Sequence, residues 1–159
     1  MRRVTLSAIY SINKVKFCRL VKNLSARALS TAIGKVPEYV SNVESNSKKT
    51  QYPHDVLIAI SNVFDCDVRD FYPADEELLE SDGSRFVKEI ISLSNFDDCI
   101  LVLNGMIVAD CFKHGMSFEE TSIHLHEQGK PNSLVIENAL EALEKTSKLS
   151  LRNGKYFSK

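Results

Sequence analysis

The chain has few of the features that mark membrane, secreted or phosphate-binding proteins. No apolar run reaches the about 18 residues that a membrane-spanning helix needs. The N-terminal residues lack the apolar core and cleavage site of a signal peptide, so we expect a cytoplasmic protein. The six glycines do not cluster, which excludes a glycine-rich loop that cradles phosphate. The 159 residues are enough for one ordinary domain or two small ones.

Cysteine and histidine are too scattered to indicate a metal site or a catalytic pair. The four cysteines are Cys18, Cys66, Cys99 and Cys111. They form no Cys-x-x-Cys pair, and reduced thiols in a cytoplasm are the simplest interpretation. His124 and His126 are two residues apart on a predicted helix, so they point to different faces. Because nothing marks a general base or an oxyanion site beside a thiol, we expect no metal, no cofactor and no enzymatic activity.

The formal net charge of −1 hides an uneven distribution of charge along the chain. Residues 1–60 contain ten basic and three acidic residues, a net of +7, whereas residues 61–159 carry a net of −8. A basic first part is typical of contact with a polyanion, although an ordinary solvated surface has the same composition. The charge is therefore informative only beside a motif in the same part of the chain.

Residues 24–44 predict two short helices joined by a tight turn. The apolar positions of the pair are Leu29, Ile33, Val40 and Val43. Ser30 is small at the position where the two helices would approach closely. Gly34 suits a turn with a left-handed backbone, which costs a residue with a Cβ about 1 kcal/mol or more. This is the helix-turn-helix pattern, whose second helix lies in the major groove of DNA.

The segment from Ile9 to Tyr72 resembles the helix-turn-helix family of phage repressors and Cro proteins, also called the XRE family. The residues that carry the resemblance are Val15, Cys18 and Arg19 before the motif, Glu44 at its end, and the run 53–72 after it. The resemblance implies a five-helix domain that reads operator DNA as a dimer. It also implies that Arg19 pairs with Glu44, and that Cys18 and Cys66 occupy apolar core positions.

We expect this first domain to span residues 1–73. Its predicted elements are an arm over 1–8, helix 1 over 9–22, helix 2 capped by Ser25, helix 3 over 37–44, a polar loop over 45–53, helix 4 up to Phe64 and a short helix 5 capped by Asp67. Asp65 stands where the family usually has glycine, and aspartate tolerates the left-handed backbone expected there. Residues 74–95 predict an acidic linker and a connecting helix over 84–93.

Residues 96–159 predict a second domain of three helices and a terminal hairpin. The predicted helices are Cys99–Phe112, one opened by the capping box Ser117 to Glu120, and one capped by Asn132 or Ser133. The dipeptide Asn153-Gly154 between alternating apolar residues predicts a two-residue β-hairpin. This order of elements is similar to a winged helix. The whole chain is therefore predicted to be mainly α-helical, with a repressor-like domain followed by a winged-helix-like one.

The resemblance to phage repressors also implies which side chains face DNA. The positions that match the family's base contacts are Ala26, Pro37, Glu38, Ser41 and Asn42. Apart from the resemblance, Tyr39 can stack on a sugar or touch a thymine methyl, and the places of Lys35, Lys48, Lys49 and Arg27 favour contact with phosphates. Asn42 can pair with adenine through its amide, and Glu38 can accept a hydrogen bond from cytosine N4. Ala26 and Val36 depart from the family, which usually has glutamine and a capping Ser or Thr at these positions.

The sequence predicts a transcriptional regulator whose first domain binds double-stranded DNA, with a recognition helix over about 37–44. Residues 96–159 carry seven basic and nine acidic residues, which favours a role in homodimerisation or in binding a protein partner over a second DNA contact. A small-ligand site there stays an alternative. The alternative for the whole chain is a degenerate helix-turn-helix protein, antitoxin-like or anti-repressor, that acts through protein–protein interaction.

Overall fold

A computed structural model describes residues 3–74, 84–126 and 132–159, and the chain is mainly helical. These residues form seven α-helices, one short 3-10 helix and two antiparallel sheets of two strands each. Two compact units can be distinguished. The first comprises Met1–Arg19 and Leu24–Ile90, and the second comprises Leu20–Asn23 and Ile91–Lys159. The described part of the chain contains no helix that is both long and apolar enough to cross a membrane.

The helices follow one another along both units. In chain order they are α1 (Leu6–Val21), α2 (Ala26–Ala32), α3 (Tyr39–Val43), α4 (His54–Phe64), the 3-10 helix (Val68–Phe71), α5 (Phe96–Val108), α6 (Phe118–His124) and α7 (Ser133–Lys145). The strands are β1 (Arg3–Thr5), β2 (Arg85–Val87), β3 (Leu149–Arg152) and β4 (Lys155–Ser158). Strand β1 pairs with β2, and β3 pairs with β4, both in antiparallel register.

Local caps and turns set the helix boundaries of the first unit. The Ser25 hydroxyl accepts a hydrogen bond from the Ala28 N–H at 3.0 Å and opens α2. Asp65 has a φ of 54° and ends α4 in the left-handed conformation. The Asp67 carboxylate accepts from the Arg69 N–H at 2.9 Å and opens the 3-10 helix. These three sequence predictions are confirmed.

Two sequence predictions at the ends of the first unit are wrong. Residues 3–5 do not form part of an arm, because they are strand β1, and α1 begins at Leu6 instead of Ile9. Residues 85–87 do not belong to a connecting helix, because they are strand β2 and pair with β1 in the register Val4 to Phe86. The first unit therefore extends to Ile90, past the predicted domain end at residue 73. The predicted acidic linker lies mostly outside the described residues.

The apolar core of the first unit brings together α1, α2, α3, α4 and the 3-10 helix. Its fully buried side chains include Ile12, Val15, Leu29, Val40, Val43, Ile60 and Phe71. Cys18 packs partly buried against this core, as expected. Cys66 is exposed, so the prediction of a buried thiol is wrong there. The physical reason is that Cys66 follows directly after the left-handed residue Asp65, where the chain turns away from α4.

The second unit packs α5, α6 and α7 with the hairpin. Helix α5 buries Cys99 and Leu103, and α7 buries Ile136 and Leu140. The predicted helix over 99–112 is shifted to Phe96–Val108, since Asn95 caps its start by accepting from the Asp98 N–H at 3.1 Å. The predicted capping box is confirmed at α6. There the Glu120 N–H donates to the Ser117 hydroxyl at 3.1 Å, and the Ser117 N–H donates to Glu120 Oε2 at 2.7 Å.

The terminal hairpin is confirmed at the predicted dipeptide. Asn153 and Gly154 have φ values of 49° and 75°, the two left-handed residues that a type I′ turn requires. Strand β3 begins at Leu149, which pairs with Ser158, and Arg152 pairs with Lys155 next to the turn. The second unit is therefore three helices followed by a β-hairpin.

Candidate nucleic-acid interface

The turn between α2 and α3 holds the two helices close together. Gly34 has a φ of 68°, so the left-handed turn predicted from the sequence is confirmed. Ser30 is fully buried between the helices. Its hydroxyl accepts from the Val40 N–H at 3.0 Å and donates to the Ala26 carbonyl at 2.9 Å. A larger side chain at Ser30 would separate the helices and leave the first turn of α3 without this partner.

Helix α3 is shorter than the sequence predicts. It spans Tyr39–Val43, and Pro37 and Glu38 form a turn before it, so the predicted span of 37–44 is wrong at both ends. The N-cap residue is Glu38, whose side chain makes no capping hydrogen bond. Val36 has no hydroxyl to cap an earlier start, and its side chain is 65% exposed. The missing cap explains why the helix begins two residues late.

A buried ion pair fixes the end of α3 to α1. Arg19 donates from Nε to Glu44 Oε1 at 2.6 Å and from Nη2 to Glu44 Oε2 at 2.5 Å. Both side chains are buried, and the guanidinium also donates to the Leu24 carbonyl at 3.3 Å. Lys16 Nζ lies 3.9 Å from the same carboxylate. The predicted pairing is confirmed, and its bidentate geometry gives it a fixed orientation.

The side chains predicted to contact DNA differ in their exposure. Exposed ones are Arg27, Lys35, Glu38, Ser41, Lys48 and Lys49, and half-buried ones are Pro37, Tyr39 and Asn42. Ala26 is half-buried, and its methyl offers no hydrogen bond. Ser41 is already engaged, because its hydroxyl donates to the Glu38 carbonyl at 2.9 Å. The lysines at 35 and 48 each reach a side chain of α3.

Lys35 lies beside Tyr39. Its Nζ is 5.8 Å from the centre of the Tyr39 ring, within the range of a cation–π contact. The Tyr39 ring in turn packs against Tyr52 with centroids 6.2 Å apart. Burial, and then the charge of Asp55, raise the pKa of the Tyr39 phenol above its ordinary value. A phenol is protonated at neutral pH even at its ordinary pKa, so Tyr39 can donate a hydrogen bond.

Asn42 and Lys48 contact each other. Lys48 Nζ donates to Asn42 Oδ1 at 2.5 Å, which occupies the amide oxygen that a bidentate contact with adenine would use. Because an amide oxygen has two lone pairs, adenine N6 would either share Asn42 Oδ1 with Lys48 or displace the lysine. A phosphate group is a competing partner for the ammonium, so the two side chains have to be treated as one unit.

Comparison of the chain with family models, curated proteins and solved structures gives no match. Within residues 3–74, 84–126 and 132–159, no group of three or more His, Cys, Asp or Glu side chains is arranged to hold a metal ion.

Sequence reasoning missed Lys88, which supports this surface from inside the unit. Its side chain is 2% exposed. The ammonium donates to the carbonyls of Val43 at 2.5 Å, Lys48 at 3.1 Å and Thr50 at 2.9 Å. Burial lowers the pKa of Lys88 below its ordinary value, and the charge of Glu44 acts in the opposite direction.

The sequence carries only a weak signal for this lysine. Lys88, Glu89 and Ile90 alternate between buried, exposed and buried, which is the period of an extended chain. The sequence prediction of a helix over 84–93 does not include that alternation. Lysines are rarely buried in proteins, so sequence patterns do not favour a lysine at an inward position.

Proposed function

We propose that the first unit binds double-stranded DNA and that the protein is a sequence-specific transcriptional regulator. In this proposal α3 and the Pro37-Glu38 turn before it enter the major groove, as the resemblance to phage repressors and Cro proteins implies. The observation that carries the proposal is the α2–α3 pair itself. The pair is closed by Gly34 and Ser30, and its outer surface presents side chains of α3 between exposed lysines.

The charge around α3 supports contact with a phosphate backbone. Lys35 precedes the helix, and Lys48 and Lys49 follow it in the loop, all three exposed. Glu44 contributes little negative charge to this surface, because it is buried and paired with Arg19. Neutralised phosphates supply most of the affinity of proteins for DNA, so these lysines are proposed to position the helix.

Base reading is assigned mainly to Asn42. An asparagine amide can accept from adenine N6 and donate to N7 in the major groove. On contact with DNA, Lys48 would leave Asn42 Oδ1 for a phosphate, and the freed amide would turn to the base. In the absence of DNA, the two side chains are then the hydrogen-bond partners of each other.

The second unit is proposed to make a homodimer or to bind a protein partner. Helix α7 exposes Glu137, Glu141 and Glu144, which would repel a DNA backbone. Apolar side chains are exposed on the same unit, among them Val108 at 86% and Leu134 at 63%. A dimer would place two recognition helices about 34 Å apart, one turn of DNA.

A selection from random duplexes tests sequence-specific reading. The full chain is mixed with a random duplex library, and the bound fraction is amplified and sequenced over several rounds. We expect enrichment of a motif, with two half-sites about one helical turn apart if the chain is a dimer. Retention of duplexes without any enriched motif would contradict sequence-specific reading.

One feature favours a second candidate, a helix-turn-helix protein of the antitoxin or anti-repressor kind that acts only on other proteins. Glu38 places an exposed carboxylate at the start of α3, where a groove would present negative phosphates on both sides. Failure of the library to retain any duplex at low salt would favour this candidate.

A further inference from the structure

The ammonium of Lys88 closes the C-terminal end of α3. The Val43 carbonyl belongs to the last helical residue, and helix C-termini carry unpaired carbonyls and a partial negative charge. The carbonyls of Lys48 and Thr50 belong to the loop that follows, over residues 44–53. One buried cation therefore joins the end of the helix to two points of the loop.

The segment 85–90, named the strap here, holds Lys88 in place through its own contacts. Strand β2 pairs with β1 at one end of the strap. The Asn13 side chain donates to the Glu89 carbonyl at 3.2 Å, and the Ile90 N–H donates to Asn46 Oδ1 at 3.0 Å. Ile90 is buried in the apolar core of the unit. The strap is thus fixed to α1, to the core and to the loop.

Apart from Lys88, the loop is held mainly at its two ends, by the buried ion pair of Glu44 and by Tyr52. Residues 45–51 are half-buried or exposed, and Tyr52 is the loop side chain that enters the core. Without the ammonium, three carbonyls would need new partners, and water is the obvious one. The Lys48 carbonyl is one of the three, and Lys49 lies between it and Thr50, so the backbone positions of both lysines depend on Lys88.

We propose that Lys88 is a positioning residue for the polyanion-binding surface, because it holds the loop that presents Lys48 and Lys49 in one conformation. This inference rests on the proposed function. Lys88 itself is buried and does not touch DNA. It acts through the loop, and it sets the geometry in which the two exposed ammonium groups meet neighbouring phosphates.

The test compares Lys88→Met with Lys22→Met in the full chain. Methionine keeps an unbranched side chain, one heavy atom shorter, and removes all three N–H donors, and Lys22→Met removes the same charge at an exposed position. Two quantities are measured: amide hydrogen exchange over residues 44–53, and binding to a random-sequence duplex of about 30 base pairs between about 50 and 200 mM salt.

For Lys88→Met we expect about tenfold faster exchange over 44–53, with little change in α4. We also expect about tenfold weaker duplex binding, and a salt slope flatter by about 1 to 2 as Lys48 and Lys49 lose their phosphates. Lys22→Met should leave the exchange unchanged. Faster exchange with unchanged affinity and slope would overturn the positioning role and leave Lys88 a purely structural residue, and unchanged exchange would overturn the contact with the loop.

Two further measurements keep the inference testable if Lys88→Met does not fold. Asn46→Ala removes the bond to the strap from the exposed side of the loop. It should give about threefold faster exchange over 44–53 and about threefold weaker duplex binding. Backbone ¹⁵N relaxation of the unsubstituted chain should give order parameters of about 0.85 over 45–51, and values below about 0.6 would overturn the inference. If the unsubstituted chain binds no duplex, the proposed function fails, whereas exchange and relaxation still decide whether Lys88 holds the loop.

Discussion

At the scale of single residues, the first unit uses its charges in two ways. Arg19, Glu44 and Lys88 are buried and bound to protein atoms, whereas Lys48 and Lys49 are exposed. A buried charge has lost its hydration and is stable only with its partners present, so it fixes geometry. An exposed ammonium keeps its charge available to an external anion.

Substitution of Arg19 by methionine should destabilise the first unit strongly. The change leaves the Glu44 carboxylate buried without its bidentate partner, which costs about 3–5 kcal/mol of the free energy of unfolding. Urea unfolding followed by circular dichroism measures the effect. Lys145→Met is the control, since it breaks an exposed ion pair, that of Lys145 with Glu141 at 3.7 Å, in which the side chains are 74% and 53% exposed. The control should hardly move the midpoint, and a similar loss in both variants would contradict a special role for the buried pair.

Substitution of Asn42 by alanine should relax one base position. On the preferred duplex we expect a loss of about 1–3 kcal/mol in binding free energy, because the contact with adenine is gone. On random duplex we expect no loss, since Lys48 is then free for phosphate. Fluorescence anisotropy on both duplexes measures the difference, with Asn62→Ala, an exposed change on α4, as the control. Equal losses on both duplexes would remove the reading role from Asn42.

At the scale of elements, the ends of helices and strands depend on a few backbone positions with positive φ. Gly34, Gly115 and Gly154 all have this conformation, yet their surroundings differ. A Cβ at Gly34 or Gly154 would meet nothing within 4 Å, whereas a Cβ at Gly115 would lie 2.5 Å from the Phe157 ring. Substitution by alanine therefore tests backbone strain alone at Gly34 or Gly154, and backbone strain together with packing at Gly115.

Gly115→Ala should destabilise the second unit more than Gly154→Ala. At Gly154 the cost is that of a left-handed alanine, about 1 kcal/mol. At Gly115 the ring of Phe157 must also move away from the added Cβ, which brings the cost above about 2 kcal/mol. Thermal unfolding of the two variants measures the difference. Equal losses would show that the Phe157 ring moves without cost and would contradict this prediction.

The cap of the 3-10 helix should respond to acid. Hydrogen bonds from the side chain and backbone of Arg69 lower the pKa of Asp67 from 3.8 to about 2. Because the folded-state pKa lies below the unfolded one, the ionised carboxylate stabilises the fold above about pH 4, and this is lost as the pH falls towards about 2. A ¹³C NMR titration of the carboxyl group measures the pKa. Arg69→Met should raise it towards 3.8, and an ordinary pKa in the unsubstituted chain would contradict the cap.

An element is predictable from the sequence when the contacts that set it lie within a few residues of it. Ser25, Asp67 and the pair Asn153-Gly154 act on atoms within a few residues, so their caps and turns were predictable. Strand β2 was not, because its partner β1 lies some 80 residues earlier in the chain and two such short strands carry no periodicity of their own.

The residues of the candidate site also differ in how far the sequence predicts their contacts. Arg19 and Glu44 were predicted as a pair through the resemblance to phage repressors, since both are side chains in that pattern. Lys88 was not predicted, because its partners are backbone carbonyls, which leave no trace in the sequence. The late start of α3 follows from a missing cap at Val36, a departure from the family that is visible in the sequence.

At the scale of the whole molecule, the first and second parts of the sequence differ in net charge. Residues 1–60 hold ten basic and three acidic residues, and residues 61–159 hold ten basic and eighteen acidic ones, so a polyanion is attracted to the first part of the chain and repelled by the rest. Long-range attraction of this kind weakens with added salt, which makes the salt dependence of binding its direct signature.

The most direct test of DNA binding is a salt titration of the full chain against a random-sequence duplex of about 30 base pairs. If Arg27, Lys35, Lys48 and Lys49 each neutralise one phosphate, the logarithm of the association constant should fall linearly with the logarithm of salt concentration, with a slope of about −3 to −4. Lys48→Ala should flatten that slope by about 1. Absence of binding at about 50 mM salt, or a slope near zero, would contradict the account.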